Sequence, residues 1–422
     1  MEKSYYDEFR GILKQELIPA LGCTEPIAIA YAAATCASLL NEDIVSGVVE
    51  ASGNIIKNVK GVVVPSSGGL KGIEAATALG AIGGDATLEL EVLSSVDEEA
   101  RRKAQALMEK IEVRLSSSDC KLQLKVILYG KSHSASVEIA GSHTNIVEKV
   151  LDGKILFKKP FVDDISSDSL YDSLTIENIV DFAENTDLKE LDSVLSRQVE
   201  YNIAIAQEGI EGDWGASVGK NLLKYYGDGI MTKARAYAAA GSDARMSGCL
   251  SPVVINSGSG NQGITVTVPV VVYAYSLNVS REKMLRALII SNLISIHQKS
   301  KIGRLSAYCG AVSASCGAGC AITWLKGGDV EAIKSTMVNT LANVSGIICD
   351  GAKPSCAAKI ASALDAALMA DLLTTEHETF APGEGIVKSD IEQTIDSVGK
   401  IARLGMVETD KTILDVMIDK DK

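Results

Sequence analysis

Two kinds of spacing between hydrophobic residues divide the chain into two parts. From about residue 44 to residue 156, apolar and polar residues alternate in several short runs, and an alternation of period two predicts half-buried strands. From about residue 166 onwards, long segments rich in Ala, Ile and Leu predict closely packed helices. The sequence therefore predicts an α+β fold, in which an N-terminal helix and a mixed α/β sheet domain (residues 1–165) precede a mainly α-helical domain (residues 166–422).

The strands are expected in short segments of the first domain. A helix over residues 97–110 lies between two of these segments, and Ser95 and Glu98 stand before it at the spacing of a capping box. Because the runs are short and separated by turns, we expect a mostly antiparallel sheet. The predicted strands cover residues 62–64, 88–92, 111–115, 122–128 and 135–139.

An apolar helix is expected near the N-terminus, at residues 27–40. Thr24 is suited to cap this helix, and Pro26 suits its first turn because a first-turn residue needs no backbone N–H. The helix has no polar face, so it should be buried. In the second domain, helices are predicted at residues 176–184, 188–208, 216–227, 230–241, 281–298, 330–345 and 356–374.

The composition is that of a folded chain with large cores. Of the 422 residues, 46% are hydrophobic and 23% are charged, which excludes a mainly disordered protein and suggests two or three domains. The formal net charge is −13, and there is no run of Lys and Arg. Nucleic acid is therefore not an expected partner.

Secretion and membrane insertion are not expected either. Residues 1–10 are polar and contain no apolar signal segment. The apolar stretch 27–40 has 14 residues, fewer than the roughly 18 needed to span a bilayer. The nine cysteines are an odd number, which does not suit a disulfide framework. We expect a cytoplasmic protein with reduced thiols and no membrane partner.

Three cysteines are candidate metal ligands. Cys349 and Cys356 flank a turn that contains Gly and Pro. Cys309 is followed by Gly310, which also interrupts the regular pattern. Thiolates at helix ends can bind iron, whereas zinc is less favoured because no close C-x2-C pair is present. The alternative is that these thiols are inert and pack as small hydrophobic groups, which is the favoured interpretation for Cys36, Cys120, Cys316 and Cys320.

Cys23 is a candidate catalytic residue. It stands just ahead of the predicted N-terminal helix, where the helix dipole lowers the pKa of a thiol and the backbone N–H groups can hold a carboxylate. A thiolate there could act as a base or a nucleophile. The alternative is an inert cysteine at the start of a buried helix.

Glycine-rich and basic segments are further candidates. Residues 256–263 lie between two apolar runs and allow close backbone approach to a ligand, but they do not match a dinucleotide motif. Residues 66–71 could cradle an anion or form an ordinary turn. Cations in residues 297–304 could balance thiolate charge or bind a carboxylate; Arg235 and Arg245 are weaker candidates for this role. His133 and His143 have no evident partner, and we interpret them as structural.

Four segments in the same order resemble the L-cysteine desulfidase family, a relative of the iron–sulfur L-serine dehydratase α chain. The segments are residues 21–28, 256–263, 301–310 and 349–356. The resemblance implies a 4Fe-4S cluster held by Cys309, Cys349 and Cys356, with one iron open to the substrate, and Cys23 as the proton acceptor. It further implies β-elimination of L-cysteine to pyruvate, ammonia and hydrogen sulfide.

The departures from the dehydratases favour the desulfidases. The serine dehydratases carry Ser-His-Thr near the corresponding helix start and a longer gap between the last two ligand cysteines, whereas this chain has Gly22, Cys23 and Thr24 and a short gap. The expected partner is a small amino acid, and a homo-oligomer is plausible from base rates. The candidates for binding the substrate carboxylate are Thr24, Ser66, Ser67 and Lys71.

Three other functions stay open at this point. One is the same elimination on L-serine. Another is an iron–sulfur carrier or sensor in which Cys316 or Cys320 completes the cluster. The third is a metal-free binding protein whose cysteines pack in the core. We expect the reaction site between the two domains, because Cys23 and the three candidate ligands lie at opposite ends of the chain.

Overall fold

The computed structural model describes residues 4–118, 120–161, 171–303 and 305–418. The strands are β1 (Pro19–Leu21), β2 (Ser46–Ala51), β3 (Ile111–Leu115), β4 (Gln123–Tyr129), β5 (Ser134–Ala140), β6 (Ile146–Leu151), β7 (Lys154–Lys158) and β8 (Pro252–Val254). The helices are α1 (Tyr5–Glu16), α2 (Thr24–Leu40), α3 (Gly53–Val59), α4 (Gly72–Gly83), α5 (Glu98–Met108), α6 (Ile176–Asn185), α7 (Asp192–Glu211), α8 (Val218–Tyr226), α9 (Ile230–Met246), α10 (Gly260–Ser276), α11 (Arg281–Ile302), α12 (Gly310–Leu325), α13 (Val330–Asn343), α14 (Cys356–Thr375), α15 (Ile391–Lys400) and α16 (Val407–Ile418).

A six-stranded sheet forms the frame of the N-terminal part. Its strand order is β3-β2-β4-β5-β6-β7, and all neighbours pair antiparallel except β2 and β3. The three predicted strands that follow α5 are present within one or two residues. The predicted α+β class, with a mostly antiparallel sheet and a helical C-terminal part, is confirmed.

Helix α2 packs between this sheet and α4. It is buried along nearly all of its length, as the absence of a polar face predicts. A Cβ at Gly80 of α4 would overlap the carbonyl oxygen of Ala30, so the two helices approach to backbone contact. The N-cap position of α2 is Cys23 rather than Thr24, which is the first helical residue. This shift places the Cys23 side chain at the mouth of the helix.

The N-terminal residues are tied to the helical part. Strand β1 pairs antiparallel with β8, and the hydroxyl of Tyr5 donates a hydrogen bond to Asp181 of α6 across 2.5 Å. Phe9 of α1 packs edge-on against Phe182. The predicted division near residue 165 falls within residues 162–170, which lie outside the described residues.

Small residues let the C-terminal helices pack closely around α12. This helix is buried over nearly its whole length and packs against α10, α11 and α14. A Cβ at Gly317 would overlap the carbonyl oxygen of Ser291 on α11. Within the described residues, no helix has both the length and the apolar character required to cross a membrane.

Two predicted strands are wrong. Residues 62–64 precede a turn and form no strand, and Val63 makes a single bridge to Lys71. Residues 88–92 lie mostly in a 3-10 helix (Ala86–Glu91), where the Asp85 side chain accepts a hydrogen bond from the backbone N–H of Thr87. In both places the short apolar pattern does not produce a strand. Burial of two apolar side chains does not by itself require the hydrogen-bond ladder of a sheet.

The cap of helix α5 and the presence of helix α10 also differ from the sequence prediction. Helix α5 is capped by Asp97, which accepts a hydrogen bond from the backbone N–H of Ala100 across 2.8 Å, and not by Ser95. Of the glycine-rich residues 256–263, the first four lead into helix α10 and the last four form its first turn; the apolar residues of this helix are buried. A fully buried helix lacks the polar face that reveals helical periodicity, so its sequence resembles that of a buried strand.

Candidate active site

One cavity of about 100 Å³ is lined by residues from both parts of the chain. The four cysteines that the sequence analysis singled out as ligands or base all line it. Most of the other lining residues are polar or charged, which is unusual for a buried position. The main lining residues are Cys23, Thr24, Glu25, Asn58, Arg245, Asn261, Gln262, Lys299, Tyr308, Cys309, Cys349 and Cys356.

Short backbone pairing places Cys309 beside Cys349. The N–H of Cys309 donates to the carbonyl of Ile347 across 2.8 Å, and the N–H of Cys349 donates to the carbonyl of Ala307 across 2.7 Å. Cys356 follows after a turn as the first residue of α14. The pairing holds two of the candidate ligands at one place although 40 positions separate them in the sequence (349 − 309 = 40).

Four helices begin at this cavity. Cys23 precedes α2, Ser259 precedes α10, Cys309 precedes α12 and Cys356 opens α14. The N-terminus of a helix carries a partial positive charge and free N–H groups. The cavity is therefore suited to anions such as thiolates and carboxylates.

One thiol of the ligand set is readily ionised. A hydrogen bond from Cys309, together with the positive charges of Lys57 and Lys359, lowers the pKa of Cys349 to about 6. The same hydrogen bond and burial raise the pKa of Cys309. Shifts in opposite directions are expected for neighbouring thiols that titrate together.

The donor set fits an iron–sulfur cluster better than a single ion. Among the described residues, no group of three His, Cys, Asp or Glu side chains could hold one metal ion. The three thiols of Cys309, Cys349 and Cys356 line the same cavity. Thiolates are the usual ligands of iron–sulfur clusters.

Cys23 is held as a neutral thiol. Burial is the main cause that raises the pKa of Cys23, and the nearby charge of Glu25 raises it further. The Cys23 thiol donates a hydrogen bond to Glu25 Oε2 across 3.2 Å. The sequence analysis expected the helix dipole to lower this pKa, but loss of water around the thiol and a carboxylate two residues away outweigh that effect.

Glu25 is a buried, charged residue that the sequence analysis missed. Its Oε1 accepts a hydrogen bond from Asn58 across 2.9 Å, and the Thr24 hydroxyl lies 3.0 Å from its Oε2. Burial tends to raise the pKa of Glu25, but the imidazole of His143, whose Nε2 lies 3.9 Å away, and the hydrogen bond from the Cys23 thiol lower it to about 2. A glutamate in an otherwise apolar helix start was the available signal in the sequence.

The predicted carboxylate-binding residues do not gather in one place. Thr24 lines the cavity, and its hydroxyl also lies 2.9 Å from the carbonyl oxygen of Gly258. Ser66 and Ser67 lie in the turn before α4, where the Ser67 hydroxyl donates to the carbonyl of Leu70. Lys71 occupies the N-cap position of α4. None of these last three lines the cavity.

The basic candidates are also separated by the fold. Lys299 and Arg245 line the cavity, whereas Arg235 pairs with Asp365 elsewhere on the surface of α9. Arg304 lies outside the described residues. The two remaining candidate ligand cysteines are absent from the cavity lining and buried in α12: these are Cys316 and Cys320.

Comparisons with known proteins identify the family of this chain. Residues 87–415 match the family model described as the serine dehydratase alpha chain. A UPF0597 protein of Lachnoclostridium phytofermentans is 51% identical and covers 98% of this chain and 100% of its own length. UPF0597 proteins of Treponema denticola and Finegoldia magna are 48% and 46% identical, and each covers at least 98% of both chains. The chain therefore belongs to the serine dehydratase alpha chain family and to the UPF0597 proteins.

Proposed function

We propose that this protein is an iron–sulfur-dependent lyase that removes the β substituent of a small α-amino acid, with L-cysteine as the first candidate substrate. The products would be pyruvate, ammonia and hydrogen sulfide. The observation that supports this most directly is the shared cavity of Cys23, Glu25 and the three candidate ligand cysteines. A base and a metal-binding set are the two parts that such an elimination needs.

Cys309, Cys349 and Cys356 would hold a 4Fe-4S cluster. When bound, the cluster supplies a Lewis-acidic iron for the leaving sulfur or hydroxyl of the substrate. The chain supports the charge of these thiolates with buried or half-buried lysines, of which Lys57 donates a hydrogen bond to the carbonyl oxygen of Cys349 across 3.3 Å. The helix starts at the cavity add further positive potential.

Cys23 and Glu25 would move the α proton together. The Cys23 thiol points its proton at Glu25 Oε2, so the sulfur can accept the proton of the substrate Cα while its own proton passes to the carboxylate. The electron pair left on Cα forms the Cα–Cβ double bond as the bond from Cβ to the leaving group breaks. The resulting aminoacrylate hydrolyses to pyruvate and ammonia.

L-Serine is the second candidate substrate, and the description of the matching family model favours it. The same base and the same ligand set would serve, with hydroxide in place of sulfide as the leaving group. A carrier or sensor with Cys316 or Cys320 as the fourth ligand has less support, because both lie buried in α12 and neither lines the cavity.

The test begins with iron and acid-labile sulfide per chain, measured on protein purified without oxygen. We expect about four irons per chain and pyruvate formation from L-cysteine with a higher kcat/KM than from L-serine. Single replacement of Cys309, Cys349 or Cys356 by Ala should remove iron and activity together. Cys120→Ala is the matched control, because Cys120 lies outside the cavity.

Two outcomes would contradict the proposal. Protein that binds no iron after cluster reconstitution would leave a metal-free function. Iron-loaded protein that forms no pyruvate from either amino acid would overturn the lyase assignment. A higher kcat/KM for L-serine would keep the reaction type and replace the first substrate by the second.

A further inference from the structure

Arg245 is a buried cation at the cavity. It lies near the C-terminal end of α9 and is only 2% exposed. Its Nη1 donates a hydrogen bond to Asn261 Oδ1 across 3.2 Å. Its Nε has no hydrogen-bond partner, and no carboxylate among the described residues forms an ion pair with it.

A bound anion would stabilise the buried guanidinium of Arg245. A buried charge is costly unless it is paired and hydrogen-bonded, and the single bond to Asn261 uses one of five N–H donors. The planar fork of donors matches the two oxygens of a carboxylate. The ligand that would complete the site is therefore a small anion that enters the cavity.

The surroundings of Arg245 are built to admit its guanidinium. A Cβ at residue 260 would overlap Arg245 Nε, so Gly260 lets the guanidinium lie against the first turn of α10. Asn261, the next residue, holds Nη1. This accounts for part of the glycine-rich motif, whose function the ligand set and the base do not explain.

We propose that Arg245 binds the α-carboxylate of the substrate, so that the site takes free α-amino acids whose carboxylate is not blocked. The assignment of the anion as a substrate group rests on the function proposed above. Arg245 replaces Ser66, Ser67 and Lys71 in this role, since none of those three lines the cavity. Cys23 and Glu25 line the same cavity, so a substrate anchored at Arg245 is confined with the proton-transfer pair.

The role of Arg245 in carboxylate binding is tested by calorimetry on anaerobically purified, iron-loaded protein. L-Serine should bind about 10- to 100-fold more tightly than ethanolamine, which lacks the carboxylate, the range expected for hydrogen bonds to a charged group. Arg245→Ala should abolish this preference with unchanged iron per chain, and Arg245→Lys should restore part of it. Arg235→Ala is the control, because Arg235 lies on the same helix and pairs with Asp365.

Retention of the full preference in an iron-loaded Arg245→Ala variant would overturn the inference, as would wild-type protein that does not distinguish the two ligands. The two proposals fail separately. Wild-type protein that binds L-serine through Arg245 but forms no pyruvate refutes the lyase reaction alone. Wild-type protein that forms pyruvate, with unchanged KM in Arg245→Ala, refutes the role of Arg245 alone.

Discussion

Lys57 and Asp410 form an ion pair although 353 positions separate them in the chain. Lys57 belongs to the short helix α3, and Asp410 belongs to α16, the last helix. The Lys57 ammonium is almost fully buried and also donates to the carbonyl oxygen of Cys349. One side chain thus joins the N-terminal part, the last helix and the segment that carries a candidate ligand.

Replacement of Lys57 by Met should lower both stability and iron content. Removal of one partner leaves the Asp410 carboxylate, whose side chain is 14% exposed, without its cation, which costs about 3 kcal/mol for a pair buried to this extent. It also releases the carbonyl of Cys349. Urea unfolding and iron per chain after reconstitution measure the two effects.

Two variants separate positioning from stability in this experiment. Lys60→Met removes a more exposed lysine that contacts the carbonyl of Met417 on the same helix α16, and it should change stability by less than about 0.5 kcal/mol. The double variant Lys57→Met with Asp410→Asn should recover stability but not iron. Full iron content in the double variant would show that Lys57 does not position Cys349.

Replacement of Cys23 by Ala should leave the iron in place and lower kcat by about 10²- to 10⁴-fold, the usual contribution of a positioned base. The reason is that Cys23 lies at the cavity with its thiol directed at Glu25. Iron per chain and pyruvate formation are the measurements. Cys36→Ala is the matched control, because Cys36 is buried on the same helix and its thiol contacts the sheet.

A loss of iron in Cys23→Ala would contradict the assignment of Cys23 as the base. Cys23 would then be a fourth ligand, since it lines the same cavity as the other three cysteines. A fully coordinated cluster is the arrangement expected of a carrier. Unchanged turnover with unchanged iron would instead show that Cys23 is not the base.

Glu25 should contribute to stability in a pH-dependent way. Its pKa is about 2 in the folded protein against an ordinary value of 4.5, so the folded state favours the carboxylate. The contribution, up to about 3 kcal/mol, is complete above the unfolded-state pKa and is lost as pH falls from about 4.5 towards 2. Urea unfolding of wild type and Glu25→Gln from pH 7 down to about 4 measures the first part of this loss.

The lowered pKa of Glu25 fixes the direction in which this contribution changes with pH. The difference in unfolding free energy between wild type and Glu25→Gln should be largest near neutral pH and should shrink on acidification. A difference that stays constant over this range would show that His143 and Cys23 do not stabilise the charged form of Glu25. A difference that grows on acidification would show a raised pKa.

Gly260→Ala should weaken substrate binding without loss of iron. The added Cβ overlaps Arg245 Nε and also crowds Val253, so the guanidinium must move away from α10. We expect KM to rise about 10-fold, the effect of one weakened hydrogen bond to a charged group, with a smaller effect on kcat. Gly229→Ala, at the other end of α9, has open space around its Cβ and should leave KM unchanged.

The local spacing of apolar residues was sufficient to predict many of the strands and helices. The strands β3, β4 and β5 show a two-residue alternation, which is typical of a strand with one buried face. The predicted strands at residues 62–64 and 88–92 failed because a three- to five-residue pattern is also satisfied by a turn that buries the same side chains. Helix α10 was missed because burial on every side removes the periodic signal.

The order of residues alone marks the candidate site cysteines and the turns beside them. Cysteines placed at helix starts, beside Gly or Pro, are visible in the order of residues because capping and turn formation depend on near neighbours. Cys23, Cys309 and Cys356 stand at such positions. The order of residues does not show which way each helix start faces.

Tertiary structure alone decided which of these groups share a cavity. Glu25, Arg245 and Lys299 reach it, whereas Ser66 and Lys71 do not, although the sequence marks Ser66 and Lys71 more strongly than Arg245. Tertiary structure also reversed the expected direction of the Cys23 pKa shift. The physical reason is the same for both, since the shared cavity and the exclusion of solvent depend on the packing of elements that lie hundreds of residues apart.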